Sequence, residues 1–298
     1  MAVIVSGASG ELGAMTVAAL AERVDPRELI LVTREPERLA HWRDRGADIR
    51  QGDLDAPETL ARAYAGGDRL LLISTAAVGP MRQRQHRVAI DAAAAAGVPH
   101  IVYTSSAAIH PRNPCFVIPD HIATERMLAD SGLAVTILRV NSYADILVHA
   151  IAPQAIATGR WIAAAGEGAV GFVAKRDVAR AAAAALTDDS HAGAIYEITG
   201  PELLTSRDAA RIAAEISGCP IELIIPEDAP VPGIAAAEQE QASEWIGPFT
   251  MADLQSFDRA VRAGYYAVCT HHVEMITGAP ATSLRTLFEA AADARRAA

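Results

Sequence analysis

The nine residues VSGASGELG (5–13) follow the apolar start MAVI, and their glycines fall three apart at positions 7, 10 and 13. No other feature restricts the fold as tightly. An apolar run that ends in glycines so spaced and passes into an amphipathic stretch, Leu12 to Glu22, reads as strand, tight turn and helix. In such a unit Gly7 permits the turn, Gly10 lets the backbone approach a pyrophosphate, and Gly13 lets the helix pack on the strand. The helix start near Leu12 aims its free N–H groups and positive dipole end at the phosphate. Ser9, Glu11 and Leu12 lie between the glycines and belong to the same cradle.

The alternation continues. β-rich runs at 2–6, 29–33, 47–51, 69–74, 100–106 and 134–140 are separated by helix-like stretches at 12–22, 36–45, 57–65, 82–96 and near 120–130. Apolar strands separated by helices predict an α/β fold, a doubly wound parallel sheet of the Rossmann kind, covered on both faces. After Tyr143 the rhythm loosens. A strand at 160–166, a helix at 175–186, a strand at 194–199, a helix at 206–217, a strand at 221–226 and a last helix at 282–296 are expected. The stretch 227–248, rich in Pro, Glu and Ala, reads as a helical lid or loop. The division is an NAD(P)-binding domain over 1–150 and a smaller α/β substrate-binding region over 151–298, of which about 170–200 returns to the sheet.

The choice of dinucleotide turns on the end of the second strand. NAD sites place Asp or Glu there to hold the ribose 2′-hydroxyl. Here the run is LVTREPERL, with Arg34 at that position and Arg38 one helical turn later. A guanidinium there clamps a 2′-phosphate, which favours NADP(H) over NAD(H), although Glu35 is adjacent.

Composition excludes several classes. With 26 basic against 36 acidic residues the formal net charge is −10, so neither nucleic acid nor an anionic membrane is an expected partner. No apolar run approaches the roughly 18 residues that span a bilayer, and the N-terminus lacks the basic region of a signal peptide. The cysteines, Cys115, Cys219 and Cys269, are far apart and form no CxxC, which fits reduced thiols, a cytoplasmic location and no metal site. The expected partner is a small molecule; the sequence leaves monomer and homodimer open.

Taken in order, SGASGELG, LVTREPERL, GDLDAPE, LLLISTAAVG, IVYTSS, HIATERMLADSGL, TILRVNSY and AAAGEG resemble the NmrA-like, atypical short-chain dehydrogenase/reductase family, most of all its quinone- and triphenylmethane-reducing members. The likeness covers nearly the whole chain and fades between about 227 and 268. It implies that Gly7, Gly10 and Gly13 hold the pyrophosphate, that Arg34 binds the 2′-phosphate, that Asp53 and Leu54 face the adenine, and that Ser74 and Thr75 lie beside a ribose.

Most short-chain reductases use a Tyr and a Lys four residues later. Lys175 is the only lysine here and Gly171 lies four before it, so this chain has no such pair. Where the dyad would fall stand Val117 and His121, and the similar reductases also carry His at the lysine position. His121 is therefore a candidate for ribose contact or proton chemistry. Ser106, at the place of the family's catalytic Ser, His110 in the next loop, and Tyr143 after the sixth strand are the other candidates. The chain departs from its relatives at Arg139-Val140, where they have Arg-Asn. A substrate that accepts hydride without concerted protonation suits such a site. This points to NADPH-dependent reduction of a quinone or another electrophilic conjugated aromatic. The alternatives are a non-catalytic NADP-binding redox sensor, and a carbonyl or ene reductase or isomerase of a biosynthetic pathway. The pocket is expected to draw on Ala76, Val78, Ser106, His110, Tyr143 and the 227–248 stretch.

Overall fold

The computed structural model describes residues 1–225 and 249–297. The chain opens with β1 (Val3–Ser6), α1 (Glu11–Ala21), β2 (Leu29–Thr33), a short α2 (Ala40–Arg43) and β3 (Asp48–Gln51). There follow α3 (Leu60–Tyr64), β4 (Arg69–Leu72), α4 (Pro80–Ala95), β5 (His100–Ser106), α5 (Ile118–Ala129) and β6 (Ala134–Val140). These strands and β8 (Ile195–Ile198) form one sheet in the order β3-β2-β1-β4-β5-β6-β8, with every neighbouring pair parallel. This is the Rossmann order, extended at the β6 edge by a strand from the second half of the chain.

The strands are apolar throughout because both faces are covered. Val3, Val5, Leu29, Leu31, Leu71, Val102 and Leu138 pack on Val17 and Leu20 of α1 and on α8 (Lys175–Thr187). Ile4, Ile30, Leu70, Leu72, Ile101 and Tyr103 turn the other way, onto Leu60, Tyr64, Ile90 and Leu128. The alanines 181–185 of α8 are all buried, and their small side chains let α8 lie close to α1 and the sheet.

The second half forms a smaller layer against the carboxyl ends of the strands. α6 (Ala144–Ile146) continues through a wide π turn, Leu147–Ile151, into α7 (Ala152–Thr158). Pro153 supplies no N–H and its ring would crowd the carbonyl one turn back, so the widened turn relieves it. β7 (Arg160–Ile162) pairs in parallel with β9 (Glu222–Ile224), and α9 (Ser206–Ser217) lies between them in sequence, opened by a reciprocal Thr205–Asp208 cap. Among the described residues three more helices follow: α10 (Met251–Arg262), α11 (His272–Thr277) and α12 (Leu284–Ala297). Strands at 29–33, 100–106 and 134–140 and the helix at 206–217 fall where the sequence puts them. The strand expected over 160–166 stops at Ile162, because Gly166 turns back to bond the Ala163 carbonyl. The helices over 144–158 and 251–262 are not anticipated, and the 227–248 stretch lies outside the described residues.

The C-terminal helices are tied to the sheet layer by Asp177. Its fully buried carboxylate accepts from the Thr282 N–H at 2.6 Å and the Thr282 hydroxyl at 3.2 Å, and pairs with Arg180 at 3.0 Å. Asp177→Ala leaves these donors without an acceptor and should lower unfolding stability by about 2–4 kcal/mol. Urea titration of the two proteins is the check; a change below 0.5 kcal/mol, roughly the scatter of a surface substitution, would show that Asp177 does not anchor the C-terminal helices.

Candidate active site

Two cavities open at the carboxyl ends of the strands. The first, about 490 Å³, lies over β1, β2 and β4. Its wall includes Gly7, Ser9, Gly10, Glu11, Leu12, Gly13, Arg34, Arg38, Asp53, Leu54, Ser74 and Thr75, all expected at the cofactor. Gly7 sits at φ +80°, a region that other residues enter only under strain, and a Cβ on Gly13 would stand 2.2 Å from the Gly7 carbonyl oxygen. α1 begins after Gly10 with no side-chain cap, so its first N–H groups stay available to a ligand. The Ser9 and Thr33 hydroxyls meet at 2.6 Å and close the floor between β1 and β2.

Glu11, in the first turn of α1, would oppose a phosphate there. The ammonium of Lys175 pairs with it and also stands 5.5 Å from the Tyr143 ring centroid. The sole lysine thus neutralises the cradle from the far half of the chain. Beside Thr33, Arg34 makes no ion pair among the described residues, whereas Arg38 is paired with Glu35 at 3.6 Å. The Oγ1 of Thr75 and the Oε1 of Gln85 are buried in the cavity wall without a hydrogen-bond partner. An open helix start, a glycine turn that admits no Cβ, an unpaired arginine and two orphaned polar atoms fit a dinucleotide phosphate.

The second cavity, about 560 Å³, lies beyond β6. Tyr143, Trp161, Phe172, Phe257 and Tyr266 give it aromatic walls, with Cys115 and Val117 from the loop before α5 and Ser142 from just after β6. Burial pushes the Tyr143 phenol up from its usual pKa, aided by Asp145 and Glu11. Asp258 also lines this cavity; burial raises its carboxyl to about 6. Among the described residues no three His, Cys, Asp or Glu side chains are grouped to hold a metal, and no helix is long and apolar enough to cross a membrane.

His121, expected at a ribose or in proton chemistry, lines neither cavity. It is 5% exposed, and both ring nitrogens are committed. Arg82 can only donate, so Nε2 accepts from it at 3.4 Å and the Nδ1 proton goes to the Tyr103 hydroxyl at 2.8 Å. Burial, with Arg82 and His86 nearby, holds its pKa well below the usual value. A neutral, doubly bonded imidazole here ties α5 to Arg82 of α4 and Tyr103 of β5. His110 is a loop residue: its Nδ1 accepts from the Arg112 N–H at 3.1 Å, and its ring leans on Tyr265 with centroids 5.5 Å apart. Ser106 ends β5, next to Ala107 and Ala108; Ala108 is the one non-glycine described residue with positive φ, +63°, and Asn113 holds its carbonyl at 2.8 Å. Ala76 lines the first cavity and Tyr143 the second, but Val78, Ser106 and His110 line neither. His271 and His272 cap and orient α11, with Nδ1 of His272 accepting from the Glu197 N–H at 2.9 Å.

Sequence reasoning missed most of the second cavity. A signal was present: Thr250 with Asp253 forms a reciprocal cap, and Leu254, Phe257, Asp258 and Val261 then follow on one helical face toward the cavity.

A family model described as NAD(P)H-binding matches residues 7–189. Quinone oxidoreductase 2 of Escherichia coli is 36% identical over 216 residues, 72% of this chain and 73% of that protein. The chain belongs to the NmrA-like NAD(P)H-binding oxidoreductases. The crystal structure of the E. coli enzyme complexed with NADPH superposes with a TM-score of 0.84 at 30% identity, covering 98% of this chain and 99% of that one. The triphenylmethane reductase of Citrobacter sp., complexed with NADP(H), gives 0.84 at 27% identity over 98% and 100% of the two chains. The (4-alkanoyl-5-oxo-2,5-dihydrofuran-3-yl)methyl phosphate reductase of Streptomyces griseus is 32% identical over 95% of each chain.

The loop that carries Ser74 and Thr75 is held by a second buried histidine. The Thr75 N–H donates to Nε2 of His86 at 3.1 Å, so Nδ1 carries the proton and donates to the Thr124 hydroxyl at 2.8 Å. Burial first and Arg82 second hold the His86 pKa at about 3, against 6.5 for an ordinary imidazole. Its folded pKa is depressed, so the neutral form's contribution to stability is present above pH 6.5 and is lost as pH falls toward about 3. His86→Gln keeps an acceptor and a donor without the titration. In urea unfolding followed between pH 7 and 4, the variant should lose less stability than the wild type, by on the order of a few kcal/mol. Parallel curves would exclude His86 as a source of the acid sensitivity.

Proposed function

We propose that the protein is an NADPH-dependent reductase that passes hydride to a quinone or a similarly electrophilic, conjugated aromatic acceptor. The observation that carries this reading is the aromatic cavity at Tyr143, Trp161, Phe172, Phe257 and Tyr266, joined to the glycine-lined cavity through Lys175, which pairs with Glu11 of the one and stands 5.5 Å from the Tyr143 ring of the other. A flat acceptor fits such walls, and small-molecule sites are commonly apolar with a few polar groups. The quinone- and dye-reducing relatives support the same class.

Bound NADPH supplies the hydride. Gly7, Gly10 and Gly13 with the start of α1 hold its pyrophosphate, Arg34 its 2′-phosphate, Asp53 and Leu54 the adenine end, and Ser74 and Thr75 a ribose. Position 117, just before α5, is Val and position 121 is a neutral, buried His, so neither offers an acid to the acceptor. Orientation and exclusion of water from the aromatic cavity then provide the main acceleration. The S. griseus relative, similar along 95% of the chain, favours a second reading: reduction of a conjugated double bond in a biosynthetic intermediate.

Arg34→Ala should weaken NADPH binding roughly 10- to 100-fold, the worth of about 1.5–3 kcal/mol for a charge-assisted bond, and leave NADH nearly unchanged. Fluorescence titration of both cofactors decides it; equal losses, or a wild-type preference for NADH, would remove Arg34 from this role. Against acceptors, kcat/KM for benzoquinones should exceed that for aliphatic ketones by about 10²–10⁴, the contribution of the general acid that α5 lacks. A ketone or an activated alkene reduced fastest would favour the biosynthetic reading, and tight NADPH binding without reduction of any acceptor would favour a redox sensor.

A further inference from the structure

Lys175, the only lysine of the chain, is the first residue of α8 and is 7% exposed. A buried ammonium needs a counter-charge, and this one takes it from the other half of the chain, where its Nζ pairs with the Glu11 carboxylate. Glu11 lies in the first turn of α1 and lines the glycine cavity, with its side chain 46% exposed. The same Nζ stands 5.5 Å from the centroid of the Tyr143 ring, which lines the aromatic cavity. Backbone bonds fix this arrangement. The Ala144 N–H donates to the Val173 carbonyl at 2.9 Å and the Val173 N–H to the Ser142 carbonyl at 3.0 Å, so Tyr143 and the approach to α8 run side by side. Asp145, a further carboxylate here, accepts from the Lys175 backbone N–H at 2.9 Å and holds the start of the helix.

We propose that Lys175 sets how tightly the dinucleotide is held: its ammonium cancels the Glu11 carboxylate beside the seat of the diphosphate, and the Tyr143 ring, a wall of the acceptor cavity, keeps the ammonium aimed there. Lys175 is thus a positioning residue that acts through Glu11. The free N–H groups and dipole of α1 attract an anion, but a bare carboxylate in the same turn offsets them. A diphosphate is itself anionic and would meet that carboxylate at close range, where water and salt screen only in part. With the ammonium in place the first turn presents a neutral pair and keeps the attraction of its N–H groups. The 2′-phosphate belongs to Arg34, at the far end of the cavity, so Lys175 acts on NADPH and NADH alike. The face of an aromatic ring attracts a cation. A side chain of the acceptor cavity therefore enters the affinity for the cofactor without touching it.

The proposal rests on the diphosphate lying at the start of α1, and Gly10→Ala tests that seat separately. Gly10 has φ −75°, which alanine adopts freely, and a Cβ there would meet only the Gly7 carbonyl oxygen, at 3.3 Å. The variant should fold and lose affinity for both cofactors. Kd values come from calorimetric titration of each full-length variant, with urea unfolding as the control for folding. Lys175→Met should weaken NADPH and NADH by the same factor, about tenfold or more, and leave adenosine 2′-monophosphate, which has no diphosphate, unchanged. Adding Glu11→Gln should recover most of that loss, which damage to packing would not allow. Glu11→Gln alone, on a half-exposed side chain, should tighten both cofactors severalfold, and it decides the matter if Lys175→Met does not fold. Tyr143→Phe keeps the ring and should keep the cofactor affinity, whereas Tyr143→Leu should lose about fivefold. An unaltered Kd in Lys175→Met, a loss confined to NADPH, no recovery in the double variant, Glu11→Gln binding no tighter, or Tyr143→Leu matching Tyr143→Phe would each overturn the proposal. If Gly10→Ala binds as the wild type does, the seat of the diphosphate is elsewhere and the proposal falls with that reading. If Gly10→Ala loses affinity and the Lys175 and Glu11 variants do not, the proposal falls alone.

Discussion

The contact between position 13 and the Gly7 carbonyl governs how the first helix meets the sheet. With a side chain there, the Cβ would lie 2.2 Å from that oxygen, so α1 could not come down on β1. Without one, α1 settles with Val17 and Leu20 on the sheet, and its uncapped first turn stands over the strand ends. The alanine face of α8 then packs beside it, and Lys175 at the start of α8 reaches the Glu11 carboxylate. One absent methyl group thus fixes the height of a helix, the seat for a phosphate, and the point at which the second half of the chain joins the first.

Burying charge and imidazole under this site carries a cost that the surroundings only partly offset. Arg82 is 3% exposed, its Nε lacks an acceptor, and burial lowers its pKa against the opposing field of Asp120. Asp120 itself is occupied, accepting from the Gly79 N–H at 2.6 Å and Gln83 at 2.7 Å. His86 and His121 stay neutral beside this cation. Such a cluster gives fixed hydrogen-bond directions, and what it fixes is the loop from Ser74 to Gly79 and the inner edge of α5. Rigidity there costs stability, most of all in acid, where both imidazoles would have to charge.

Much of this was legible in the sequence where the physics is local. Strands buried on both faces need unbroken apolar runs, and β2, β5 and β6 begin and end where those runs do. The glycine spacing encodes a backbone requirement, and every cofactor residue read from it lines one cavity. Long-range convergence left no such trace. His121 reads as a site residue by position, but Tyr103, 18 residues before it, and Arg82, 39 before it, close over both nitrogens. Tyr266 had no local signal, because the aromatic wall it joins is assembled from Tyr143, Trp161 and Phe172, far earlier in the chain. The helix over 251–262 does carry its signal in the sequence: Leu254, Phe257 and Val261, three and four apart, make an apolar face that turns toward the cavity and a small satellite core.

The two cavities divide the chain between them. Among the described residues the walls of the first come from Ser6 to Gln85, and those of the second from Cys115 to Tyr266, with none shared. One stretch of polypeptide therefore builds the glycine-lined cavity and another the aromatic one, and Lys175 is the side chain that touches both, through Glu11 and the Tyr143 ring. A substitution on the far wall of the aromatic cavity, at Trp161 or Phe257, changes the shape of one chamber and no side chain of the other, whereas one at Tyr143 is felt through Lys175 in both.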